Sequence, residues 1–269
     1  MLKNYKLEFN RGDILTSKML DRLYKYPKEI FEISYTNHSD GVITGMDIIK
    51  KEDSNILTQG ILKYNTEYYV LDKDIILDEI LEKMNIDEGS KYDIYFDLEK
   101  DLSASIKCSS FSINISISDE ERRNSTLYMG TFMNSSKSNI DYADDIKDLI
   151  LRNNIYLDRI YVKQSGYKKD TFTRDICDLV LNLLQNKKNP HPMDYMIIND
   201  IIRGEVVEYD MIVYYVNQVS KIDVRGLDRK EVLDKFYKAL NTEYVIYASQ
   251  KDEVKKEVKS KHMISGGVI

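Results

Sequence analysis

Two glycine-punctuated apolar stretches dominate the first quarter of the chain. They are Gly41-Val42-Ile43-Thr44-Gly45-Met46-Asp47-Ile48-Ile49 and Ile56-Leu57-Thr58-Gln59-Gly60-Ile61-Leu62-Lys63-Tyr64, and between them lies Lys50-Lys51-Glu52-Asp53-Ser54-Asn55, which has no apolar residue. β-Branched runs on either side of a polar tip predict an antiparallel pair of strands. Asp40-Gly41 reads as the entry turn, because glycine tolerates positive φ and aspartate hydrogen-bonds nearby backbone. Gly45 marks a bulge or a close backbone approach, and Gly60 stands at the corresponding place in the return strand. After a turn at Asn65-Thr66, Glu67-Tyr68-Tyr69-Val70-Leu71 predicts a third strand, so the whole segment reads as an antiparallel meander. Asp40, Gly41, Gly45 and Gly60 are its structural turn and bend residues.

A packed helix is expected before the meander. Thr16 or Ser17 can cap a run through Lys18–Tyr24, where Met19, Leu20, Leu23 and Tyr24 follow three-and-four spacing. Pro27 is expected near a break or a new first turn, with Ile30, Phe31 and Ile33 continuing the apolar side. Arg11-Gly12-Asp13 spells an adhesion tripeptide, but a Gly-Asp turn before a helix accounts for it.

Beyond the meander the first half stays β-rich. Asp74–Leu81 extends a strand or opens a short helix, Tyr92–Leu98 reads as a strand, and Ser112–Ser118 alternates three isoleucines with Ser and Asn. Leu127–Met133 closes a predicted sheet or small barrel of about six or seven strands. The small, polar run Asn134–Asn139 is the expected domain boundary. Helical periodicity follows over Ile140–Arg152, Thr171–Gln185, Met193–Arg203, Glu208–Val219 and Asp228–Leu240, with Gly204, Gly226 and Asn241 placed as left-handed caps. A short strand is possible at Tyr244–Tyr247, and the lysine-rich segment after Lys251 reads as a polar tail. The predicted class is therefore α+β: residues 1–138 form a helix plus an antiparallel β-rich attachment domain, and residues 139–269 a helical bundle.

Composition supports a folded, water-facing protein, with 42% hydrophobic and 31% charged residues in 269. No apolar run approaches the ~20 residues that span a bilayer, and Met1–Lys6 lacks a signal-peptide core, so cytoplasmic synthesis is expected. The formal net charge is -6; residues 1–138 carry 18 basic and 24 acidic groups, leaving 21 and 21 for the remainder. That balance offers no electrostatic footprint for nucleic acid, which is not expected as a partner. Tyrosine is abundant at 21 and tryptophan absent, which suits exposed β faces and interfaces, although an AT-rich coding bias suffices to explain it. Cys108 on a strand and Cys177 on an apolar helix face have no metal spacing and are expected to be structural.

Catalytic motifs are not found: there is no phosphate-binding G-x-x-x-x-G-K-[ST], G-x-G-x-x-G, H-E-x-x-H or G-x-S-x-G. His38, His191 and His262 are widely separated and read as turn or surface residues. Asp144, Asp145 and Asp148 suit a helix N-terminal turn. No catalytic, cofactor-binding or metal-ligating residue is therefore assigned, and no cofactor is expected.

The pattern of Asp40-Gly41-Val42-Ile43, Gly45-Met46, a variable tip, and Ile56…Gly60-Ile61…Asn65 resembles the N-terminal region of phage tail-fibre and baseplate proteins. In those proteins a helix feeds a small β domain that anchors a longer module. The resemblance covers roughly residues 9–71. It implies a non-enzymatic structural component of a phage tail or related contractile injection particle, an adaptor between baseplate and fibre. Its implied partners are other tail or baseplate subunits and further copies of itself, in a homo-oligomer or larger assembly, and its destination is the virion or particle. Two other classes stay open from the residues alone: a nucleic-acid-associated helical module joined to a β domain, and a hydrolase whose carboxylates converge only in the fold.

Overall fold

The computed structural model describes residues 14, 16–51, 54–82, 90–101, 108–117, 123–133, 145–151, 157–204 and 206–242. The class is α+β, with seven helices and three antiparallel sheets among these residues. The sheets are open, so the barrel alternative is not adopted.

Helix α1 spans Ser17–Ser34. Thr16 caps it, its hydroxyl accepting from Met19 N at 3.3 Å. The expected break at Pro27 does not occur: the helix runs through it. Proline removes one donor there, yet the two turns on each side remain intact. At the far end, Ser34 Oγ donates to Ile30 O at 2.9 Å and Thr36 Oγ1 to Glu32 O at 2.7 Å, so hydroxyls occupy carbonyls that the helix leaves unpaired.

The predicted meander divides into two sheets. Strands β1 (Gly41–Gly45), β4 (Gly60–Tyr64) and β5 (Glu67–Leu71) form one, in the order β1-β4-β5. Strands β2 (Ile48–Lys51), β3 (Ser54–Leu57) and β6 (Ile75–Ile76) form the other, in the order β2-β3-β6. Both are parts of one two-stranded ribbon, paired as Gly45 with Gly60 on one side of a bend and Ile48 with Leu57 on the other. Backbone bonds cross the bend, from Met46 N to Gln59 O at 3.3 Å and from Thr58 N to Asp47 O at 2.9 Å. The ribbon therefore turns without coming apart. A register shift between Val42 and Thr44 adds a bulge just before it. Ile75–Ile76 is both strand and prelude to a helix, since α2 (Leu77–Glu82) follows directly.

The third sheet has the order β10-β9-β7-β8, from β7 (Lys91–Asp101), β8 (Cys108–Ile117), β9 (Tyr128–Met133) and β10 (Leu157–Asp158). In β8, Ile115 is buried whereas Ile117 is exposed at the strand end. Val42, Leu57, Leu62, Ile94, Tyr128 and Val162 belong to one apolar core shared by the three sheets.

Helices α3 (Ile146–Leu151), α4 (Arg174–Gln185), α5 (Asp194–Gly204), α6 (Tyr209–Ser220) and α7 (Arg229–Leu240) enclose a second core around Ile176, Val180, Ile197, Val216 and Phe236. The chain between α3 and α4 returns to the sheets. Leu157 and Val162 enter the β core, and Tyr161 packs against both cores. The helix ends differ from expectation. Lys221, at φ 58°, is the left-handed cap of α6, Asn241 is right-handed, Gly204 is the last helical residue of α5, and Gly226 lies in the turn before α7. Instead of a glycine stop, α7 is defined at its start by a reciprocal capping box between Asp228 and Glu231. The expected boundary at 134–139, the strand at 244–247 and the polar tail lie outside the described residues.

Candidate functional site

The bend in the ribbon is the best-built polar site among the described residues. A Cβ on Gly45 would lie 2.0 Å from Gln59 O, and one on Gly60 would lie 2.5 Å from Thr44 O, so the two backbones touch where the ribbon turns. Gly45 has φ +65° and Met46 follows at φ 54°. The reversed Met46 carbonyl accepts from Arg159 Nη2 at 2.9 Å. Arg159 Nη1 lies 3.5 Å from Asp47 and 3.4 Å from Asp175, placing one guanidinium between the bend and the first turn of α4. Burial pushes the Asp47 carboxyl above its ordinary range, with Arg159 opposing and Asp175 adding to the shift. Arg159 is 2% exposed, and its Nε has no hydrogen-bond partner.

Beside the bend is a cleft of about 250 Å³, whose walls include His38, Asp47, Gln164, Arg174 and Glu208. Its acids are already engaged. Asp47 is held by Arg159, and Glu208 Oε2 accepts from Tyr167 N at 2.8 Å. His38 packs edge-on to Tyr35, with ring centroids 5.0 Å apart, while its carbonyl accepts from Lys63 Nζ at 2.6 Å. These contacts fasten loops together. They assemble no nucleophile–base pair.

The predicted turn residues occupy this junction. Gly41 opens β1 at φ +143°, and a Cβ there would lie 2.5 Å from Lys163 O, because residues 163–166 run along the outer edge of β1. Val42 N donates to Lys163 O at 2.8 Å and Ser165 N to Val42 O at 2.7 Å. Asp40 reaches away from its own turn, accepting from Asn65 N at 3.0 Å. Gly45 and Gly60 form the bend. His191 lies elsewhere, its Nδ1 accepting from Met193 N at 3.1 Å, and Asp145 caps α3 by accepting from Asp148 N at 2.8 Å. Arg11, Gly12, Asp13, Asp144 and His262 are outside the described residues.

Three charged fasteners have no sequence motif. Arg229 donates to the carbonyls of Ile160, Val162 and Thr171, at 2.8, 3.0 and 2.6 Å, and pairs with Asp170. Burial lowers its pKa and Asp170 raises it. Buried Asp194 accepts from Lys187 Nζ at 2.8 Å, His191 N at 2.7 Å and the Tyr215 hydroxyl. Arg159 is the third. A signal exists only for Asp194, an acid at the start of an apolar-periodic helix.

The outer face is a second candidate. No residue of α1 is buried, and Leu20, Leu23, Tyr24, Ile30 and Ile33 are exposed. The helix meets the body through Phe31, whose ring is 4.8 Å from that of Tyr68 on β5, and through Lys63, which donates to Tyr35 O at 2.9 Å. β5 is an edge strand carrying exposed Val70, and Glu67 holds the Tyr69 hydroxyl, whose pKa burial pushes up to about 12. Among the described residues no group of His, Cys, Asp and Glu has metal-binding geometry, and no helix is long and apolar enough to cross a membrane.

No protein-family profile and no curated protein matches this chain. Among solved structures it is similar to TssK, at 9% identity and a TM-score of 0.29, over 89% of this chain and 73% of that one.

Proposed function

We propose that this protein is a non-enzymatic assembly component, an adaptor between baseplate and fibre in a phage tail or related contractile injection particle. The observation that carries the assembly reading is α1: an 18-residue amphipathic helix with none of its residues buried, beside an open β5 edge. Apolar surface of this kind gains roughly 25 cal/mol per Å² when a neighbour covers it. An open strand edge accepts another chain's backbone. The tail-particle assignment draws on the resemblance across residues 9–71. In this reading the chain is made in the cytoplasm and incorporated with neighbouring tail subunits. The test is density-gradient purification of tail-like particles from the producing cells, with the tagged chain located by electron microscopy. The chain is expected at a fixed, symmetric position in the particle. A protein that is strictly monomeric and absent from every such particle overturns the proposal.

A further inference from the structure

The cleft beside the bend, about 250 Å³ in volume, has acceptors that its own contacts use only in part. Asp47 meets Arg159 through Oδ1, and Glu208 takes Tyr167 N on Oε2, so each carboxylate keeps its second oxygen unengaged among the described residues. Gln164 is 8% exposed; its Nε2 donates to Ile43 O at 3.3 Å, while its side-chain carbonyl has no partner among the described residues. His38, also on the wall, has a buried Nδ1 with no hydrogen-bond partner. Polar atoms are seldom left unmatched inside a folded chain, because stranding one costs free energy. These four residues come from four separate places: the loop after α1, the bend, the hairpin that pairs Gln164 with Thr171, and the cap of α6.

The charges are also unbalanced. Asp47 and Asp175 share one guanidinium, that of Arg159, and Glu208 has no ion-pair partner among the described residues. Arg174 lies on the cleft wall, offsets Asp47, and has a further contact within the chain. Three carboxylates thus surround two guanidinium groups, which leaves one negative charge over. Among the described residues no group of His, Cys, Asp and Glu has metal-binding geometry, so the matching guest is an organic cation.

We propose that this cleft binds a guanidinium group. A guanidinium carries five N–H donors in a planar fork, enough to serve several open acceptors at once, whereas an ammonium carries three on one atom. Tyr35 adds an aromatic ring to the wall, a surface on which the planar cation stacks. The volume is below the ~300–1,000 Å³ of pockets for drug-sized ligands, so the cleft admits one side-chain-sized group. That group belongs to a partner's arginine or to a free small molecule, since both present the same fork. Its walls draw on the sheets and on the helical half, so a bound guanidinium ties the two together. The site goes beyond the assembly reading and does not depend on it.

The test is titration calorimetry of the full chain with butylguanidinium, set against butylammonium and butanoate. Butylguanidinium is expected to bind with a Kd of about 1 mM, butylammonium at least ~threefold more weakly, and butanoate not at all. Glu208→Gln keeps an oxygen for Tyr167 N and removes the charge, and is expected to weaken binding about tenfold. Thr44→Trp fills the cleft from an exposed position on its wall and is expected to abolish binding. Melting curves establish that both variants are folded. Acetyl-Gly-Arg-Gly-amide and free arginine separate the two sources: tighter binding of the peptide assigns the site to a partner's arginine, and tighter binding of the amino acid to a small molecule. No binding of butylguanidinium up to ~20 mM, equal affinity for butanoate, or binding indifferent to both Glu208→Gln and Thr44→Trp overturns the inference.

Discussion

Replacing Arg229 with alanine measures how firmly the helical half is fastened to the loop that enters the β core. The guanidinium serves three carbonyls and one carboxylate, all from residues 160–171, and lies 5.0 Å from the Phe172 ring. A hydrogen bond from a charged group is worth roughly 1.5–3 kcal/mol, so the three carbonyl bonds sum to roughly 4.5–9 kcal/mol if nothing replaces them. Water replaces part of this, because Arg229 lines a cleft of about 320 Å³. The expected loss is therefore nearer the ~3–5 kcal/mol typical of breaking a buried charged pair. At ~2–4 °C per kcal/mol for a chain of this size, the melting temperature falls by roughly 6–20 °C. Arg229→Lys keeps the charge but presents one nitrogen, and is expected to recover less than half. Arg225→Ala is the control: its pair with Asp223 is on the surface, and its loss should stay within about 0.5 kcal/mol. Urea unfolding followed by circular dichroism and tyrosine fluorescence reads all three, since the chain has 21 tyrosines and no tryptophan. A loss below about 1 kcal/mol for Arg229→Ala, or one equal to that of Arg225→Ala, refutes the fastening argument.

Gly45→Ala meets both a left-handed backbone and the Gln59 carbonyl, costs of ~1–2 and ~1–3 kcal/mol, so a loss of about 2–5 kcal/mol is expected in urea. Gly204→Ala meets nothing within 4 Å and should be neutral or stabilising by up to ~1 kcal/mol; equal losses for the two would defeat the bend argument. Burial raises the Asp158 carboxyl above its ordinary value of 3.8, so the folded state binds this proton more tightly than the unfolded chain does. Its destabilising effect appears as pH rises through that raised pKa and disappears as pH falls to 3.8. Asp158→Asn should therefore melt higher than wild type at neutral pH and match it near pH 4, whereas a gap independent of pH contradicts the assignment. Burial also pushes the Cys177 thiol up to about 12; in a Cys108→Ala background a thiol reagent should label Cys177 only as fast as the protein unfolds, and rapid labelling of the folded chain would show the site to be open.

The strands were legible where local chemistry decides them. Apolar runs around Gly45 and Gly60 predict extended segments, and Ser112–Ser118 alternates through most of β8. The division of the ribbon into two sheets was not legible, because the residue pattern is alike on both sides of Gly45. What stabilises the division is Arg159, which reaches Met46 from 113 residues further on. A single arginine carries no mark of burial in the residue pattern, and Arg159, between Leu157 and Ile160, and Arg229 become central only once carbonyls and acids converge on them. Pro27 misled in the opposite direction: a proline is a strong local stop, yet a helix that buries no residue can accept one at a flank. The missing glycine caps have a similar cause. α7 is defined by its N-terminal capping box, and α6 ends on Lys221 in a conformation usually given to glycine.

The attachments between the outer helix and the helical half lie in series, and they are unequal. Phe31 and Lys63 join α1 to β5 and β4, β4 meets the bend at Gly60, and Arg159 joins the bend to α4. The inner links are backbone contacts and a buried guanidinium, whereas the outermost links named among the described residues are the Phe31 ring edge and the Lys63 ammonium. Helices in proteins draw most of their stability from packing an apolar face, and α1 gains little of this because it buries none of its residues. Its order thus depends more on what covers its apolar stripe than does that of any other helix described. Covering exposed Leu23, Ile30 and Ile33 would stabilise α1 and leave the bend, fixed by Gly45, Gly60 and Arg159, unchanged. The assembly surface and the folded core can then respond to separate substitutions, Leu23→Glu/Ile30→Glu in the first and Gly45→Ala in the second.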